Sequence, residues 1–123
     1  MAACTTIAAI GMHLATIHTV NRNYNDNNPG VYVRTDCGLQ VGAYYNSYRN
    51  LSVYGAYTID VKPVPVWATV GIITGYPGHT VMPLAMAGVR ARVNSYTLRI
   101  GYAPKIDGVN RTGIIHFTLE RRF

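Results

Sequence analysis

The sequence predicts an all-β chain of about eight antiparallel strands, closed as an up-and-down meander barrel or a closed sandwich. Ten Tyr, twelve Gly and six Pro favour strands and turns. Apolar and polar residues alternate with a period of two through long stretches, and no stretch keeps helical spacing. Turn residues interrupt these stretches at short, regular intervals. With 123 residues, the chain is read as one domain spanning 1–123. Hydrophobic residues make up 49% and charged residues 13%, which excludes a disordered chain and a long solvated helix.

The expected strands, in order, are 6–18, 30–36, 39–47, 51–62, 66–74, 81–93, 95–103 and 112–123. In the fourth, Leu51, Val53, Tyr57, Ile59 and Val61 share one face, and Ser52, Tyr54, Thr58 and Asp60 share the other. The sixth sets Val81, Ala85, Ala87, Val89, Ala91 and Val93 against Arg90 and Arg92. In the seventh, Tyr96, Leu98, Ile100 and Tyr102 alternate with Thr97, Arg99 and Gly101, and in the eighth Ile115, Phe117 and Leu119 alternate with His116, Thr118 and Glu120.

The connections differ in length. Cys37-Gly38, 62–65 and Asn94-Ser95 are tight, whereas 19–29, 48–50, 75–79 and 104–111 are longer or richer in turn residues. In a meander, consecutive connections fall at opposite ends, so the longer loops gather into one working rim.

Such alternation defines two faces without saying which is inside. A soluble barrel buries the Val/Leu/Ile face, and an outer-membrane barrel turns it to lipid. The chain opens at Met1 and has no basic residue before Arg22, so no export signal is expected. That favours the soluble arrangement, in the cytoplasm of a host cell or in a virion, over the outer membrane. Val53, Ile59, Val70, Val89, Leu98, Ile100, Phe117 and Leu119 are then expected inside, with Arg90, Arg92, Arg99 and Glu120 outside. Cys4 and Cys37 are expected as reduced thiols, the alternative being one bridge that ties the N-terminus to a turn.

Net charge is +6, and nine of the eleven basic residues are Arg. Arg90, Arg92 and Arg99 form a stripe that predicts weak, non-specific retention of nucleic acid. His13, His18, His79 and His116 are too scattered for a metal site, and no cofactor is expected. The expected rim collects His18, Asn46, Ser47, Tyr48, Arg49, Tyr76 and His79. A Ser beside a His is the minimum for nucleophilic acyl transfer, since the hydroxyl needs a base to take its proton. Asn46 adjoins Ser47 and orients an imidazole without stabilising its charged form. The plainer role for Asn46 and Ser47 is hydrogen bonding to loop backbone at a strand end.

The ordered set His18, Tyr24-Asn25, Gly30, 42–47 (Gly-Ala-Tyr-Tyr-Asn-Ser), 52–55 (Ser-Val-Tyr-Gly), 74–76 (Thr-Gly-Tyr) and 82–84 (Met-Pro-Leu) resembles two groups of proteins. It is similar to small phage and proteobacterial β-barrel proteins with a His…Asn-Asn-Pro-Gly…Tyr-x-Asn-Ser pattern, and more distantly to lipid A palmitoyltransferase, an eight-stranded outer-membrane barrel. The second resemblance implies catalytic roles for His18, Asn46 and Ser47, where that enzyme has a His and an Asp-Ser pair. Asn46 stands in place of the Asp, and neither an export signal nor an amphipathic helix is expected before the first strand. The expected function is therefore a non-catalytic binding or assembly module of phage-encoded type, a virion component with other protein subunits as partners. Its contact surface is the rim of Tyr48, Arg49, Tyr76 and His79. The alternative is a lipid acyltransferase or lipid-binding barrel.

Overall fold

The computed structural model describes residues 6–18, 27–46, 48–76, 78, 80–104 and 113–123. Eight strands follow in chain order: β1 (Ile7–His18), β2 (Asn27–Thr35), β3 (Leu39–Tyr45), β4 (Leu51–Val61), β5 (Val66–Ile73), β6 (Met82–Val93), β7 (Tyr96–Ala103) and β8 (Ile114–Arg122). Each pairs antiparallel with its neighbours in sequence, and β1 pairs with β8, so the sheet closes into a barrel. The expected strands and topology hold. β2 starts three residues earlier than its turn residues suggest, at Asn27, which pairs with Ala15.

The tight connections fit their residues. Gly38 has φ 98°, and a Cβ there would run into the Thr58 carbonyl, so this turn requires glycine. Asn94 has φ 57°, the left-handed conformation that a two-residue hairpin favours and Asn tolerates. These turns and the β4–β5 turn lie at one end of the barrel, the turn end. The longer connections lie at the other, the loop end.

The facing is the reverse of the expectation. Val53, Ile59 and Val70 are 53%, 62% and 58% exposed, and Val89 and Leu98 are exposed beside them. Ile100, Phe117 and Leu119 are half-buried on the same outer face, in register with Val89, Ile100 and Leu98 respectively. Arg99 and Glu120, expected outside, are 4% and 1% exposed within the barrel. Arg90 also lies on the inward face, half-buried, and Arg92 shares that face, in register with buried Thr97, its exposure coming from its place at the turn end. The physical reason lies in the inward set itself. It carries acids and bases that neutralise one another, and small residues that leave room for large rings. Gly11, for example, sits against the Tyr32 ring where any side chain would collide.

A shift of register between His13 and Ala15 marks a bulge in β1. Its extra residue inverts the parity of the strand, so His13 and Thr16, three apart, are both buried. Cys37, half-buried in the β2–β3 turn, is disulfide-bonded, which corrects the reduced-thiol expectation at that position. Cys4 lies outside the described residues.

Candidate functional site

Inward side chains fill the lumen in layers. At the turn end, Glu120 on β8 accepts two hydrogen bonds from Arg34 on β2, at 2.6 and 2.8 Å, and one from Arg99 Nε at 3.0 Å. The Tyr32 hydroxyl donates to the same carboxylate at 2.6 Å. Arg99 reaches on to Asp60 on β4 at 2.6 and 3.0 Å, and Arg90 stands 3.6 Å from Asp60. The Arg99 guanidinium also lies 5.6 Å over the Trp67 ring. Five strands thus contribute to one network that crosses and closes the lumen. Burying these charges is tolerable because each carboxylate is paired and hydrogen-bonded.

Above it lies a neutral polar layer. Thr69 and Thr58 hydroxyls are 2.7 Å apart, Thr58 donates to Gln40 at 2.9 Å, and Gln40 donates to the Tyr54 hydroxyl at 2.9 Å. Tyr54 lies 2.8 Å from His13 Nε2, and His13 Nδ1 lies 2.8 Å from His116 Nε2. With both rings neutral, one imidazole donates and the other accepts. The chain of bonds therefore runs unbroken from β5 to β8 through β4, β3 and β1.

Toward the loop end the lining changes to Ile73, Met82, Leu84, Ala103 and Ile114, with the rings of Tyr44 and Tyr76 beside them. These residues and the neutral layer enclose a cavity of about 100 Å³ that reaches down to Trp67 and Arg99. One wall offers hydroxyl, amide and imidazole groups, and the other is hydrocarbon. Such a cavity suits a small molecule with an apolar body and a polar end. It is comparable in size to cavities that hold a benzene-sized molecule, roughly 150 Å³.

The structure brings several expected rim residues together. Tyr76 and Tyr44 hydroxyls meet at 2.5 Å, and the Tyr48 ring packs edge-on against Tyr76 at 5.7 Å. Burial pushes the Tyr76 phenol above its ordinary value. Asn46 is wholly buried. Its amide donates to Ser52 Oγ at 2.8 Å and to the Gly75 carbonyl at 2.9 Å, and its oxygen accepts from the backbone of Tyr48 and Asn50. It therefore pins the β3–β4 loop to the β5–β6 loop. Arg49 is exposed, with φ 63°. His18 ends β1 in register with Ile114. Ser47 and His79 lie outside the described residues.

Sequence reasoning missed His13, Gln40, Tyr54 and His116 as a unit, and also the Glu120 network. The available signal was that Arg34, Asp60, Arg90, Arg99 and Glu120 all fall on one face together with most of the glycines that lie within strands. Among the described residues, no three His, Cys, Asp or Glu side chains gather as a metal site would require.

No protein-family profile and no curated protein matches the chain. Among solved structures, the chain is similar to a de novo designed protein, TMB2.3, determined by NMR in solution. The TM-score is 0.61 at 17% identity, over 97% of each chain. That likeness is one of fold.

Proposed function

We propose that this chain is a membrane-spanning β-barrel that serves as a binding module, its lumen cavity taking a small amphipathic ligand. One observation carries the reading: the outward face of the barrel is a nearly continuous apolar belt, while the buried charged residues and most of the polar ones point into the lumen, an arrangement that a lipid surround favours. Two further features support it. Exposed aromatic residues sit near both ends of the apolar belt, Tyr45 and Tyr102 toward the loop end and Tyr96 and Phe123 toward the turn end. Such girdles mark the two membrane–water interfaces. The disulfide at Cys37 belongs in an oxidising compartment, which suits a barrel exposed outside the cytoplasm. Binding is favoured over passage because the Arg34–Glu120–Arg99–Asp60 network blocks the lumen below the cavity. The acyltransferase alternative gains no support here, since Asn46 is committed to the loops.

The test is reconstitution into vesicles of brominated phospholipid, with Val70→Trp and Thr69→Trp placed in a Trp67→Phe background. Strong quenching at 70 and weak quenching at 69 is expected. Equal quenching, or a chain that stays folded and monomeric in water without detergent, overturns the membrane reading. Ligand binding is read from wild-type Trp67, the only tryptophan of the chain and part of the cavity lining. Titration of the detergent-solubilised barrel with short-chain fatty acids is expected to shift its emission saturably, and Ala103→Phe is expected to abolish the shift.

A further inference from the structure

Four cations ring the turn end outside the buried network: Lys62 in the β4–β5 turn, Arg92 at the end of β6, and Arg121 and Arg122 at the end of β8. Lys62, Arg92 and Arg121 are exposed, and Arg122 is half-buried. The other charged side chains described at this end are Asp36, exposed in the β2–β3 turn, and the mutually paired Arg34, Asp60, Arg90, Arg99 and Glu120. Among the described residues, no carboxylate forms an ion pair with any of the four rim cations.

Their placement against the apolar belt is specific. Arg121 stands in register between Ile10 on β1 and Tyr96 on β7, both exposed on the outer wall. Phe123, 71% exposed, lies two residues further along the same face. A guanidinium whose stem rests on an apolar wall beside two aromatic rings matches the level of a bilayer where phosphates begin. Arg92 and Lys62 continue the positive rim around the β4–β6 side. We propose that this rim, Lys62, Arg92, Arg121 and Arg122 beside Tyr96 and Phe123, binds the anionic phospholipid headgroups of the leaflet it faces. The inference rests on the membrane reading and deepens it. It assigns the turn end a preferred lipid, so that the barrel's orientation and its insertion depend on lipid charge.

The experiment measures insertion of the full chain into vesicles of phosphatidylcholine alone and of mixed phosphatidylcholine and phosphatidylglycerol, at low and high salt. Anionic vesicles are expected to raise the inserted fraction at low salt, and high salt to remove the advantage. Arg92→Gln with Arg121→Gln is expected to weaken partitioning into anionic vesicles about thirtyfold, from about fivefold per cation near such a surface, and to leave insertion into neutral vesicles unchanged. Equal insertion into both vesicles by the wild-type chain overturns the headgroup proposal while the membrane reading stands. Failure to enter either vesicle, with a stable fold in water, overturns the membrane reading instead. A single-stranded oligonucleotide that competes for the same cations and abolishes the vesicle preference would reassign the rim to nucleic acid and overturn the proposal.

Discussion

Glu120 is the residue on which the lumen turns. Removing its charge by Glu120→Gln leaves Arg34 and Arg99 buried with less than their due of negative charge, and is expected to cost about 3–5 kcal/mol. Urea unfolding of the micelle-bound barrel measures it. An Arg34→Met, Glu120→Leu pair is expected to recover much of that loss, because the penalty comes from the stranded partner. Packing makes a second demand at Gly11. The Tyr32 ring occupies the space of any Cβ there, so Gly11→Val is expected to displace the ring and break its bond to Glu120. Near-ultraviolet circular dichroism reads the displacement. Little of this was legible in the sequence. Arg34 and Glu120 lie 86 residues apart, and nothing local links them. Asn46 was more legible: a buried Asn at a strand end has few partners except nearby loop backbone.

Strands were legible to within three residues at each end, since most are runs of period-two alternation closed by Gly, Pro or Asn. Two properties of the elements were not. The β1 bulge falls on Leu14-Ala15, without the glycine that often marks such a site, so simple parity would set His13 and Thr16, three apart, on opposite faces. The choice of inward face also eluded alternation, which is symmetric between lipid and water outside. A substitution at mid-strand distinguishes the two. Val70, exposed between Tyr57 on β4 and Ala85 on β6, is expected to lose about 2–4 kcal/mol in a bilayer on Val70→Arg. An exposed surface position in water would change by no more than about 0.5 kcal/mol. Phe117→Ala, on the outer face, is expected to cost less than the roughly 3–5 kcal/mol of a core phenylalanine. Unfolding titrations in vesicles measure both.

For the whole molecule, closure and plugging set the expected behaviour. A barrel of this size has its interior filled by side chains, and here charged groups from five strands meet across it. The reconstituted protein is expected to show no steady single-channel conductance in a planar bilayer. Simultaneous Arg34→Ser, Arg99→Ser and Glu120→Ser substitution, which removes the plug, is expected to let ions leak.

The β1–β8 seam sets an order in time. Ala9 pairs with Arg122, and the backbone N–H of Phe123 donates to the Ala8 carbonyl at 2.9 Å. β1 therefore waits for β8, the eighth strand in chain order. Until β8 is made, β1 has one neighbour and the nascent sheet keeps two open edges, the situation in which chains stick to one another. Such distant contacts also slow the search for the native pairing. A ribosome stalled before residue 114 would thus hold seven strands that cannot close, and that open sheet needs shielding until the nine residues of β8 arrive.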